Sequence, residues 1–138
     1  MFTSTGTIKY DDNDGFRVTV EVDQELSNYY RSLIPRYFRI NRPRWPAHIT
    51  VVRPEKEVPP LLRHWEKYQG HKIEFLYDPY IFQGNGYYWL EVWCKPLEKI
   101  REELGMSIIS KYTLPPAGYS KCFHCTIANY KESYECTR

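Results

Sequence analysis

Two tripeptides in this 138-residue chain have the composition of a proton-transfer site: His48-Ile49-Thr50 and His124-Cys125-Thr126. On an extended strand alternate side chains share a face. Each tripeptide therefore presents an imidazole and a hydroxyl together, while Ile49 or Cys125 turns the other way. Brought into one place, the four polar groups suit cleavage of a phosphodiester. A neutral histidine takes the proton from an attacking hydroxyl or water, and a protonated one gives a proton to the leaving oxygen. The threonine hydroxyls donate to the non-bridging oxygens, where negative charge grows. His48, Thr50, His124 and Thr126 are the candidate catalytic residues, and the scheme calls for neither metal nor cofactor.

The elements that must position these residues are readable in part. Phe16 to Val22 alternates as a half-buried strand does, with Phe16, Val18, Val20 and Val22 on one face. Asp23 can cap a helix bearing Leu26, Tyr29, Tyr30, Leu33 and Ile34, which Pro35 stops. Ile49 to Val52 is a β-branched strand. Pro59-Pro60 can open a second helix carrying Leu61, Leu62, Trp65 and Tyr68, closed by Gly70. Lys72–Tyr77 and Tyr87–Trp93 read as strands, the latter after a Gln83-Gly84-Asn85-Gly86 turn. Pro96 leads a helix with Leu97, Ile100 and Leu104, and Phe123–Ile127 is the last strand. The two halves repeat one unit of strand, helix, irregular segment and His-x-Thr strand. Glu21 precedes His48 by 27 residues and Glu91 precedes His124 by 33. Such a repeat predicts two similar lobes, at about 16–70 and 71–130, meeting at a shared cleft within a single domain of 1–138.

The composition bounds the partner. A net charge of +2 is too small for long duplex nucleic acid and suits a small anionic ligand. Arg36, Arg39, Arg42, Arg44 and Arg53 nevertheless form a run free of acids beside His48, a rim that attracts phosphate. The chain is rich in aromatic residues, with 13 Tyr and 4 Trp. Trp45, Tyr10, Trp89 and Trp93 are candidate plates for a base, so the substrate-binding set is Tyr10, Arg42, Arg44, Trp45 and Trp89. No run approaches a membrane span and the opening residues lack the form of a secretion signal, so a cytoplasmic location and reduced cysteines are expected. Cys122-Phe123-His124-Cys125 hints at zinc, but only His71, Cys94 and Cys136 are available to complete a site.

The paired motifs, His48-Ile49-Thr50-Val51 and Phe123-His124-Cys125-Thr126-Ile127, resemble those of the 2H phosphoesterase superfamily, which includes the LigT-like RNA phosphodiesterases. The resemblance spans about 16–130. It implies a compact bilobal α/β fold, with two antiparallel sheets around a central cleft, an acid–base pair in His48 and His124, and phosphate binding by Thr50 and Thr126. Gly6-Thr7-Ile8-Lys9-Tyr10, Tyr29 to Pro35 and the Arg-rich approach to His48 are also similar to the phage anti-CBASS enzymes. Those hydrolyse the cyclic di- and trinucleotide messengers of bacterial immunity. That likeness implies a cyclic oligonucleotide as substrate and, for a viral protein, the host cytoplasm as its site of action. The alternatives are an RNA-processing enzyme acting on 2′,3′-cyclic phosphates or 2′–5′ linkages, and a nucleotide- or RNA-binding protein without turnover.

Overall fold

The computed structural model describes residues 1–36, 38–110 and 114–130. Seven strands form one sheet: β1 (Phe2–Asp11), β2 (Arg17–Val22), β3 (His48–Val52), β4 (Lys72–Tyr77), β5 (Phe82–Gly84), β6 (Tyr87–Trp93) and β7 (Phe123–Asn129). Two helices, α1 (Gln24–Ser32) and α2 (Lys95–Glu103), follow β2 and β6. Every named strand pairing is antiparallel, in the order β4-β1-β2-β3-β7-β6-β5. The β4–β6 pairing at Leu76↔Trp93 and Tyr77↔Val92 closes six of the strands into a barrel, leaving β5 as a short flap on β6.

This overturns the expected bilobal α/β arrangement. The chain is mostly sheet with two nine-residue helices, and its halves are fused into one wall rather than set apart as two lobes. The strand responsible is β1, which is not among the elements expected from the sequence. Its ten residues pair with β2 of the first half and β4 of the second. Its core face, Gly6, Ile8 and Tyr10, is buried beside exposed or half-buried Thr5, Thr7 and Lys9, an alternation visible in the sequence. The core accordingly lies inside the barrel. Val18, Val20, Ile49, Phe75, Leu90, Val92 and Ile127 are almost wholly buried there, in one cluster with Leu97 and Ile100 of α2 and with Leu104, which caps that helix.

The helix expected after Pro59-Pro60 does not form. Residues 63–70 run as successive turns, and Glu66 takes φ +65°, which no right-handed helix accommodates. Both ends are tied elsewhere: Leu61 N–H donates to Leu104 O, and Gly70 N–H to Ile8 O. Of the apolar residues that suggested a helix, Trp65 and Tyr68 pack on the core, Trp65 edge-on to both Tyr10 and Phe16 at 5.0 Å, while Leu61 and Leu62 stay exposed. No described helix is long and apolar enough to cross a membrane.

Gly6 is where β1 pairs with both neighbours at once, opposite Val22 and Ile73. A Cβ there would lie 2.5 Å from Val20 Cγ1 and 2.8 Å from Glu21 O, so the close approach of β1 to β2 requires glycine. Gly6→Ala is expected to destabilise the barrel by about 1–3 kcal/mol, the usual cost of overpacking. Urea unfolding would show this as a lower midpoint at unchanged slope.

Candidate active site

The first half contributes β3 and the second β7, and these two strands are neighbours. Their registered pair is Ile49↔Cys125, both facing the core and buried. Antiparallel counting from that pair sets His48 opposite Thr126 and Thr50 opposite His124, all four on the outer face. The two histidines are then diagonal neighbours, about 7–8 Å apart at the backbone, a separation that admits a phosphate between the rings. The flanking strands extend the pattern into two rows. One runs Glu21, His48, Thr126, Trp89, Phe82, and the other Lys9, Thr19, Thr50, His124, Glu91.

Each motif strand carries a bulge directly after its threonine. The register skips Val51 between Thr50 and Val52, and Ile127 between Thr126 and Ala128. A bulge sharpens the twist and re-aims the residues before it. In both halves an arginine ten residues beyond the flanking glutamate holds the bulge carbonyl. Arg31 of α1 donates to Ile127 O at 3.0 Å, and Arg101 of α2 donates to Val51 O at 2.7 Å. The same helices hold the segments leading into the motifs. Gln24 exchanges two hydrogen bonds with the Ala47 backbone, and the buried Glu98 carboxylate accepts from the N–H groups of Ser120 and Lys121. Each helix thus grips the start of its own half's motif strand and the bulge of the other half's.

The two histidines have different surroundings. His48 Nδ1 lies 2.9 Å from Pro46 O. A carbonyl only accepts, so Nδ1 keeps its proton and Nε2 is left for exchange with a ligand. His124 keeps an exposed edge, yet Trp89 crowds its ring at 5.4 Å. Loss of solvent is the largest influence and holds its pKa below the ordinary 6.5; Arg53 and Lys121 act the same way, while Glu91 opposes them. His48 and Thr50 open onto a groove of about 660 Å³, bordered by Lys9, Arg17, Thr19, Glu21, Trp45 and Arg53.

The candidate binding residues divide. Trp45 lies in the groove wall with 66% of its surface exposed, and the Arg44 guanidinium lies 5.7 Å from its ring centre. Trp89 stands beside His124, its other side stacked on Phe82 at 6.1 Å and 17°. Tyr10 is not a groove residue. It occupies the core face of β1, packed on Trp65, and burial pushes its hydroxyl up to about 12. Arg42 belongs to another surface, bordering a shallow pocket with Asn28, Arg31 and Ile40. Trp93, read as nearer a groove, is buried.

The Cys-x-x-Cys reading of zinc does not assemble either, because Cys125 faces the core while Cys122 lies on the side of His124. Cys136 lies outside the described residues. Beside the second motif, Glu91, Cys122 and His124 come together instead. Compared with protein-family models, curated proteins and solved structures, the chain matches none.

Arg101 is buried and fully engaged, with Nε on Ser107 O at 2.7 Å and a two-point contact to Glu57 at 2.7 and 3.2 Å. Arg101→Met should therefore cost about 3–5 kcal/mol, the range for breaking a buried ionic network, in an unfolding titration. Desolvation alone would raise the Glu57 carboxyl, but the hydrogen bonds from Arg101 and the Arg53 N–H, with the charge of Arg101, outweigh it and hold the pKa below 4.5. A carboxylate depressed on folding stabilises above its unfolded pKa and loses that contribution as pH falls through the folded one. Stability should thus decline below pH 4.5, and Glu57→Gln should remove that component of the decline.

Proposed function

We propose that this protein is a phosphodiesterase in which His124 and His48 act as general base and general acid on a cyclic di- or trinucleotide. The observation that carries the reading is the Ile49↔Cys125 register, which gathers both imidazoles and both threonine hydroxyls on one exposed face. The support is chemical rather than architectural, because the closed barrel is not the bilobal fold that the 2H resemblance implied. That resemblance now rests on the two motifs.

Partial desolvation and nearby cationic groups favour a neutral His124, the state a base needs. It accepts the proton of a neighbouring 2′-hydroxyl or a water as that oxygen bonds to phosphorus. The bond to the leaving oxygen breaks, and that oxygen takes a proton from His48 Nε2. Hydrogen bonding of Nδ1 to Pro46 O fixes which ring nitrogen makes the transfer. Thr50 and Thr126 donate to the non-bridging oxygens.

The groove supports a compact ligand over a long strand. Its volume falls in the range of small-molecule sites, and its border sets Lys9, Arg17 and Arg53 among Asp11, Glu21 and Glu55. Trp45 offers an open ring for a base.

The test is incubation of the pure protein in EDTA with cyclic dinucleotides, cyclic trinucleotides and linear RNA ending in a 2′,3′-cyclic phosphate. Cleavage of the cyclic messengers at least as fast as the linear RNA is expected; turnover of linear RNA alone would overturn the substrate assignment and leave the two-histidine mechanism standing. No turnover of any of them would leave the binding protein. Complete loss of activity in EDTA, restored by zinc or magnesium, would overturn the metal-independent mechanism.

His48→Ala and His124→Ala should each lower kcat by about 10²–10⁴. The acid limb of the wild-type profile should have its midpoint below pH 6.5, following the lowered pKa of His124. Trp45→Ala should lower kcat/KM by about 5- to 150-fold if a base stacks there, with the pH profile unmoved.

A further inference from the structure

At the end of the second row, His124 meets two groups that the acid–base scheme does not use. Glu91 follows His124 across the β6–β7 ladder, and Cys122 precedes His124 by two residues on the same side. One ligand atom from each of the three lies within 4.8 Å of the others. Glu91 is 5% exposed and Cys122 9%, while His124 forms the open side.

A buried carboxylate needs strong partners. Among the described residues, the side-chain hydrogen bond to the Glu91 carboxylate comes from the Cys122 thiol, at 2.6 Å. A thiol is a weak donor, so this carboxylate is poorly served by the protein alone. The backbone holds the trio in place independently of any ligand: Cys122 N–H donates to Ser110 Oγ at 2.7 Å, and Glu98 holds the two residues before it.

From this geometry we infer that Glu91, Cys122 and His124 form a binding site for one zinc ion, separate from the Cys-x-x-Cys pairing. Thiolate, imidazole and carboxylate are zinc's ligand types, and three protein ligands leave a fourth position open on the exposed side of His124. With bonds of about 2.0–2.3 Å, tetrahedral ligand atoms stand about 3.3–3.6 Å apart. The thiol and carboxylate, at 2.6 Å, must part by about 1 Å and the imidazole close in, which side-chain rotation has to supply. Binding replaces the thiol proton, which passes to solvent, and the two negative charges of the ligand set balance the cation. Zinc also takes the His124 lone pair. On the proposed function, which this consequence alone rests on, the ion is therefore an inhibitor, not a cofactor.

Cobalt(II) added to the reduced, full-length protein reports the site without reference to activity. One equivalent should produce visible tetrahedral absorption with a thiolate charge-transfer band, which zinc then abolishes. Cys122→Ser and Glu91→Gln should each weaken cobalt binding by at least about 10–100-fold, the cost seen even for residues that only support a ligand. Cys125→Ala and Cys136→Ala should keep it. In case a substitution unfolds the barrel, zinc should also protect Cys122 of the wild-type protein from alkylation, read by mass spectrometry. Absence of the thiolate band, its survival in Cys122→Ser, or its loss in Cys125→Ala or Cys136→Ala would overturn the site. Zinc should slow wild-type turnover at least tenfold. A cobalt site in a protein that cleaves no phosphodiester would sink the enzymatic reading and spare the metal site, and turnover without the band would do the reverse.

Discussion

The seam between β3 and β7 is the constraint on which the rest of this molecule depends. Its registered pair, Ile49↔Cys125, joins the two halves of the chain and buries both side chains in the core. Strand side chains have a period of two, so a slip by one residue would turn both histidines inward and two apolar residues outward. Burial of Ile49 and Cys125 therefore holds the histidines and threonines outside. The candidate site is the solvent-facing side of a core contact.

So short a seam needs support, and the helices supply it. Arg31 and Arg101 bind the bulge carbonyls, which a bulge leaves outside the ladder and which would otherwise be orphaned acceptors. Gln24 and Glu98 hold the backbone leading into the motifs. Each helix binds strands of both halves, so neither motif strand can shift without disturbing the other. The arrangement retains the internal repeat inside a single barrel.

The flanks of the site have diverged where the centre has not. The first half offers Glu21, exposed and paired with Lys9 at 3.7 Å, beside an open charged groove. The second half offers Glu91, buried against Cys122, and Trp89 against Phe82. This asymmetry gives His48 and His124 different surroundings, which is what unequal roles in proton transfer require. It also confines the metal-ligand chemistry to one side.

The amino-acid sequence by itself determined the types of the candidate groups and most of the local elements, though neither β1 nor the turns at 63–70. Alternation marked β2, β4 and β6, Asp23 capped α1 through its contact with Glu25 N–H, Pro96 lies in the first turn of α2, and the two His-x-Thr patterns named the candidate groups. The repeat was legible too, in the 27 and 33 residues that separate Glu21 from His48 and Glu91 from His124; the arginines that bind the bulges emerged only from the structure. Strand partners were not legible, because pairing depends on backbone hydrogen bonds that any sequence can make. Hence the repeat suggested two lobes, where β1 and the β4–β6 contact close one barrel. Facing was also a tertiary matter: Tyr10 and Trp93 have the ring chemistry of binding residues, yet packing buried them. The same is true of Glu91 and Cys122, 31 residues apart, whose contact arises only when β6 and the start of β7 lie side by side.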